Sequence, residues 1–102
     1  MHPLIEERLA ELRALCRRYH VARLELFGSA TSSAFDPARS DLDFVVEYLP
    51  NPDADALEEF FGLKAELETL FGRSVDLIEA RAVRNRYFRE ELEASKVPLY
   101  AA

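Results

Sequence analysis

Two short motifs constrain this chain more than any other feature: Gly28-Ser29 and, after an eleven-residue spacer, Asp41-Leu42-Asp43. Gly28 ends one apolar run and Leu42 opens another. The first motif is therefore predicted to follow a strand, and the second to lie where a strand begins. A connection of this length without structure of its own is uncommon in a compact domain and is usually functional. The sequence therefore predicts a small-residue turn beside two carboxylates.

Hydrophobic periodicity predicts three helices and three strands in this chain. The predicted helices cover residues 5–19, residues 53 or 55 to 71 (capped by Asp53 or Asp55) and residues 80–95. The predicted strands cover residues 22–27, 42–48 and 74–79, followed by an extended tail over residues 97–100. We therefore expect an α+β fold with two layers, in which a small mixed sheet carries helices on one face and leaves the other free. Core packing of the middle helix is assigned to Leu57, Phe60, Phe61, Leu67, Leu70 and Phe71.

Composition limits the possible classes of protein. With 102 residues, of which 49% are hydrophobic, a single domain over residues 1–102 is expected. The net charge of −6 argues against a nucleic-acid polymer as partner, which would require clustered Lys and Arg. No apolar run is long enough for a membrane span. The single Cys16 cannot form an internal disulfide and is predicted to be buried, which fits a cytoplasmic location.

Three carboxylates are predicted to lie together on the open face of the sheet. Side chains alternate along a strand, so Asp41 and Asp43 point away from the core if Leu42 points into it. The same alternation places Asp76 on that face, provided that its strand is a neighbour. Such groups repel one another without a cation, and Mg²⁺ suits oxygen ligands that also face phosphates. Two Mg²⁺ ions would serve the attacking and leaving oxygens of an in-line displacement.

Gly28 and Ser29 fit the phosphates of a nucleotide. A residue without a Cβ lets backbone N–H groups approach phosphate oxygens closely. Ser29 adds a hydroxyl and could cap a helical turn whose positive end faces the anion. Arg39 is a weaker candidate for a phosphate contact.

Other patterns have less specific interpretations. A calcium loop over residues 41–47 is excluded, because Val46 stands where the loop needs glycine. A late cluster of arginines is either a solvated helix face or a surface for a partner. These arginines are Arg81, Arg84, Arg86 and Arg89. Tyr87 is either an interface residue or a residue at the edge of the core.

The motifs together resemble the minimal nucleotidyltransferase family of the DNA polymerase β-like superfamily. The resemblance rests on Leu26-Phe27-Gly28-Ser29, Arg39-Ser40-Asp41-Leu42-Asp43-Phe44 and Val75-Asp76-Leu77-Ile78, and on a similar C-terminal tail. It implies transfer of AMP from ATP, with Mg²⁺ as cofactor. It further implies that Asp41, Asp43 and Asp76 are the metal-binding and catalytic carboxylates, and that Gly28, Ser29 and Ser40 bind the nucleotide.

The resemblance also implies a biological role. Members of this length are commonly antitoxins that adenylylate a tyrosine of a HEPN ribonuclease toxin. One departure from the family pattern is that Ser32 and Ser33 replace an arginine and a glycine. The alternative is therefore a catalytically weakened antitoxin that neutralises its partner by binding alone. Nucleotidyl transfer to a small molecule is a third possibility, and a homo- or hetero-oligomer is left open.

Overall fold

A computed structural model describes residues 3–31, 36, 41–51 and 53–102 of the chain. In these residues the helices are α1 (Pro3–Glu6), α2 (Leu9–Arg18), α3 (Ala56–Phe71) and α4 (Arg86–Ser95). The strands are β1 (Val21–Phe27), β2 (Leu42–Tyr48), β3 (Val75–Glu79) and β4 (Val97–Ala101). Two short 3₁₀ helices cover Gly28–Thr31 and Ala80–Ala82. None of the helices in this part of the chain is long and apolar enough to span a bilayer.

The strands form a mixed sheet in the order β3-β2-β1-β4. The β1 strand pairs antiparallel with both β2 and β4, whereas β2 and β3 run parallel. The predicted α+β fold with a small mixed sheet is confirmed. The extended tail is, however, a fourth strand. Pro98 is tolerated there because β4 is at the edge of the sheet, where a missing N–H breaks no internal ladder.

The core lies between one face of the sheet and helices α1 to α3. Phe44 of β2 is fully buried and stacks on Phe71 of α3, with 6.1 Å between the ring centroids. Cys16 is buried as predicted, and burial raises the pKa of its thiol to about 12. The fully buried side chains of the core are Ile5, Leu12, Cys16, Val21, Leu24, Leu26, Leu42, Phe44, Val46, Leu63 and Leu67.

The core face of α3 differs from the predicted one. Leu57 and Phe61 are 69% and 58% exposed, so their assignment to the core is wrong. The buried stripe instead runs through Leu63, Leu67 and Phe71, which recur at steps of four residues along one side of the helix. Phe61 precedes Leu63 by two residues, about 200° around the helix axis, so its side chain points away from the buried stripe.

Two predicted helices are interrupted. The first breaks between α1 and α2, where the Arg8 N–H donates to the Ile5 carbonyl at 3.0 Å in a tighter 3₁₀-type turn. The last predicted helix is divided into the 3₁₀ helix Ala80–Ala82 and α4, which begins only at Arg86 because Asn85 is its N-cap. Its Oδ1 accepts hydrogen bonds from the N–H groups of Tyr87 and Phe88 at 2.9 and 3.1 Å. Such local side-chain bonds favour a helix start over a helix interior.

Helix α4 contacts the face of the sheet that we expected to be free. The ring of Phe88 meets Phe27 of β1 edge to face, with centroids 5.9 Å apart. At the other end of the helix, the Lys96 ammonium lies 3.2 Å from the Glu25 carboxylate. The second face is therefore partly covered beside β1.

The N-cap of α3 provides the first prediction. Asp55 Oδ1 accepts hydrogen bonds from the N–H groups of Leu57 and Glu58 at 2.9 and 3.3 Å, which decides between the two candidate caps. We expect Asp55→Ala to lower the free energy of unfolding by about 1 kcal/mol, measured by urea denaturation. Asp53→Ala removes the same charge without removing the cap, so its effect should stay within about 0.5 kcal/mol. Equal losses in the two variants would contradict this assignment.

Candidate active site

Two of the three candidate carboxylates are direct neighbours in the sheet. Asp43 of β2 and Asp76 of β3 are register partners in the parallel pair. Adjacent strands lie about 4.8 Å apart, so the two side chains leave the sheet side by side. On its other edge Asp43 is the partner of Phe27, the residue before Gly28. Three separate segments of the chain therefore meet at Asp43.

The alternation of side chains explains why these carboxylates point away from the core. Leu42 and Phe44, which flank Asp43, are fully buried, and Val75 and Leu77 on either side of Asp76 are at most 5% exposed. Asp43 is half-buried and Asp76 is exposed. Asp41, just before β2, is exposed as well.

The three carboxylates are electrostatically coupled. The pKa of Asp43 is raised, first by burial and then by the negative charges of Asp76 and Asp41. Negative charge gathered in this way is relieved by a cation, and hard divalent cations such as Mg²⁺ prefer carboxylate oxygens. The chemistry of the donor set thus fits Mg²⁺. Within residues 3–31, 36, 41–51 and 53–102, however, no three His, Cys, Asp or Glu side chains are already arranged around one ion position. The aspartates would have to turn toward a shared ion.

Gly28 is required by the site in a way that sequence reasoning missed. Its φ of +73° is a conformation that residues with a Cβ rarely adopt, and a Cβ there would lie 2.4 Å from Asp43 Oδ2. The turn is stabilised by the Thr31 hydroxyl, which donates to the Gly28 carbonyl at 2.8 Å. The sequence does show a glycine directly after a predicted strand. It does not show which neighbouring strand this glycine would contact. Gly28 therefore provides the space that the Asp43 carboxylate occupies.

Several predicted site residues lie outside what the structure describes. Residue Ser40 and the side chain of Ser29 belong to this group. So do Arg39 and the departure at Ser32-Ser33. Their predicted roles in nucleotide binding stay predictions.

The arginine cluster does not converge on the carboxylates in the described structure. Arg81 Nε lies 3.0 Å from Glu79, and Arg86 Nε lies 3.7 Å from Glu90. Arg89 donates to the carbonyl of Val83. Tyr87 is 73% exposed, so it is a surface residue and not part of the core edge. A role for this surface in binding a partner stays a hypothesis.

Coupled carboxylates beside a glycine turn, on a small mixed sheet, define a class of site suited to metal-assisted displacement at phosphorus. The chain belongs to the nucleotidyltransferase domain family, which it matches over residues 10–99.

Curated relatives and solved structures agree with this family. The chain is 32% identical to "Putative protein adenylyltransferase MJ0128" of Methanocaldococcus jannaschii over 81 residues, which cover 79% of each protein. A solved structure described as a putative minimal nucleotidyltransferase is 28% identical, with a TM-score of 0.74 over 92% of this chain and 91% of the other. The fold is shared with a HEPN toxin–MNT antitoxin complex of Shewanella oneidensis, in which the toxin is tri-AMPylated. That match has 17% identity and a TM-score of 0.67, over 95% of this chain and 72% of the other.

Proposed function

We propose that this protein is a Mg²⁺-dependent adenylyltransferase that transfers AMP from ATP to a hydroxyl group of a partner protein. The observation that carries the proposal is the register of Asp43 with Asp76, beside Asp41 and the Gly28 turn. Membership in the nucleotidyltransferase domain family supports the reaction type. The names of two relatives in M. jannaschii, each "Putative protein adenylyltransferase", support a protein acceptor.

In this reaction the acceptor oxygen forms a bond to the α-phosphorus of ATP, the bond to the bridging oxygen breaks, and pyrophosphate leaves. Bound Mg²⁺ would neutralise charge on the phosphates and orient the reacting oxygens. Asp41 and Asp43 would hold the metal, with Asp43 fixed between β1 and β3. Asp76 would take part in binding the metal and would accept the proton of the attacking hydroxyl. Gly28 would let backbone N–H groups approach the phosphates.

The proposed acceptor is a tyrosine of a HEPN-type toxin, which would make the protein an antitoxin. The support is the fold shared with the S. oneidensis complex, whose toxin carries three AMP groups, and with a toxin–antitoxin complex that contains AMP-PNP. We further propose that residues 1–102 form one catalytic domain.

The reaction can be tested with two differently labelled nucleotides. The protein and a candidate HEPN partner are incubated with Mg²⁺ and ATP that is labelled at either the α- or the γ-phosphate. We expect label on the partner from α-labelled ATP only, and none after EDTA is added. Mass spectrometry of the product should place a mass of one AMP on a tyrosine. Transfer from the γ-position would indicate a kinase, and no transfer from the α-position would refute adenylyl transfer to that partner.

A second candidate function is neutralisation of the partner by binding alone. It is favoured by the serines at positions 32 and 33 and by the lack of a preformed three-ligand arrangement among the described residues. It predicts that a folded variant without transfer activity still protects cells from the toxin. Loss of protection in such a variant, with complex formation retained in a pull-down, would refute it.

A further inference from the structure

The N–H group of Val75, the residue before Asp76, is bonded to a side chain of helix α3. In the parallel pair of β2 and β3, Leu42 is the register partner of Val75, and the Leu42 N–H donates to the Ser74 carbonyl at 3.2 Å. A residue in such a pair bonds to the neighbours of its partner, so Val75 turns its own N–H toward the outer edge of the sheet. There it donates to Glu68 Oε2 at 3.1 Å. The start of β3 is therefore held on both of its edges.

Strand β3 lies at the edge of the sheet, and its outer side faces no other strand among the described residues. An edge strand presents N–H groups that have no partner in the sheet. The partly buried carboxylate of Glu68 supplies the acceptor that a further strand would otherwise provide for Val75. Because Asp76 follows directly, its backbone position depends on a contact that comes from outside the sheet.

The helix itself gives no reason for a carboxylate at position 68. Glu68 lies in the last turn of α3, which ends at Phe71 and contains no basic residue in that turn. The C-terminal end of a helix carries partial negative charge, so a carboxylate there is unfavourable. The hydrogen bond to Val75, seven positions later, is the contact that offsets this repulsion. The role of Glu68 is therefore found in β3 and not in α3.

The same turn of α3 is also anchored to β2. Phe71 stacks on Phe44, with 6.1 Å between the ring centroids, and Phe44 directly follows Asp43. After Phe71 the chain passes through Gly72, whose φ of +63° ends the helix, and then enters β3. One helical turn thus contacts β2 beside Asp43 and β3 beside Asp76.

We propose that Glu68 is a positioning residue, whose hydrogen bond to the Val75 N–H holds Asp76 level with Asp43. The inference rests on the proposed function, in which Asp76 takes part in metal binding and accepts the proton of the attacking hydroxyl. Glu68 acts through the backbone of β3 and is not itself one of the reacting groups. Without this bond, the start of β3 is held by β2 alone and Asp76 is free to shift. A displacement of about 1 Å in a reacting group is enough to slow catalysis strongly.

Transfer kinetics of two variants at position 68 test this role. We expect Glu68→Ala to lower kcat for transfer of α-label about tenfold, as is typical for loss of a group that orients another. The KM for ATP should not change, because Gly28, Asp41 and Asp43 keep their places. Glu68→Gln retains an oxygen that can accept from the Val75 N–H, so its kcat should stay within about twofold of the wild type. If Glu68→Gln is as slow as Glu68→Ala, the hydrogen bond is not the cause and the proposal fails.

Asp55→Ala is the matched control for stability, because it weakens α3 at its other end. It should transfer AMP at the wild-type rate, although it is also less stable. If Asp55→Ala and Glu68→Ala lose transfer equally, Glu68 has a structural role only and the proposal is refuted. In the Asp76→Asn background, Glu68→Ala should cause little further loss, since it acts through Asp76. Additive losses in that double variant would also refute the proposal.

Amide hydrogen exchange followed by NMR tests the contact apart from the reaction. We expect the Val75 N–H to exchange about tenfold faster in Glu68→Ala than in Asp55→Ala, and to regain protection in Glu68→Gln. If Glu68→Ala does not fold, Glu68→Leu replaces it, because leucine keeps the bulk of the side chain without an acceptor. Exchange of Val75 that is no faster than in Asp55→Ala would overturn the proposal.

The outcomes distinguish this inference from the proposed reaction. If the wild type transfers no AMP to its partner, the reaction and the role of Glu68 are both lost. If the wild type transfers AMP and Glu68→Ala does so at the same rate, the reaction stands and only the role of Glu68 is lost.

Discussion

Replacing Asp43 by asparagine is expected to reduce adenylyl transfer about 1,000-fold while the protein stays folded. A metal ligand contributes several kcal/mol of charge stabilisation in the transition state, and about 4 kcal/mol corresponds to this factor. Asparagine keeps the size of the side chain, so the space beside Gly28 and the pairing with Asp76 are preserved. The measurement is single-turnover transfer of α-label to the partner at saturating ATP. Asp53→Asn, an equal charge change at an exposed position before α3, should keep full activity.

The same variant has a distinctive dependence of stability on pH. The folded-state pKa of Asp43 is raised by burial and by the charges of Asp76 and Asp41, so the folded protein binds the proton more tightly than the unfolded chain. The Asp43 carboxyl group should therefore lower the free energy of unfolding of the wild type progressively as pH rises from about 4, the unfolded pKa, through the folded one. Asp43→Asn lacks this contribution and should be more stable than the wild type above that window, and equal to it below. Urea denaturation of the wild type and of Asp43→Asn across this pH range measures the two free energies of unfolding. A variant that is less stable at neutral pH would contradict the coupling.

The facing directions of the candidate aspartates could be predicted from the sequence because the signals for them are local. Strand alternation around Leu42 and Phe44 fixes the direction of Asp43 whatever the rest of the chain does. The same holds for Asp76 between Val75 and Leu77. The prediction that Asp43 and Asp76 lie close together assumed that their strands are neighbours in the sheet. The parallel pairing of β2 with β3 confirms this assumption.

The features that sequence reasoning missed depend on contacts between distant segments. The strand β4 forms only because β1 offers it an edge, and no local pattern in residues 97–101 reveals that edge. The exposure of Phe61 depends on how far α3 is rotated against the sheet, which periodicity defines only loosely. The Glu59–His20 contact joins residues 39 positions apart and gives no signal in the sequence. In each case the structure depends on contacts between residues that are distant in the sequence, and local propensity does not determine those contacts.

Gly28→Ala is expected to lower adenylyl transfer about 100-fold, although it alters no charged group of the proposed site. The new methyl group would lie 2.4 Å from Asp43 Oδ2, so the carboxylate has to move. A displacement of about 1 Å in a reacting group can cost a factor of about 100. The measurement is the same single-turnover assay, with stability followed by urea denaturation.

Gly72→Ala is the matched control for this prediction, because it isolates the cost of the backbone conformation. Gly72 ends α3 with a φ of +63°, and a Cβ there would meet nothing within 4 Å. Both alanine variants should lose about 1–2 kcal/mol of stability from the left-handed conformation, but only Gly28→Ala should lose activity. In the Asp43→Asn background, Gly28→Ala should cause little further loss of transfer, because its effect is exerted through the Asp43 carboxylate. Additive losses in the double variant would show instead that the added methyl group also obstructs the approach of the phosphates to the backbone N–H groups.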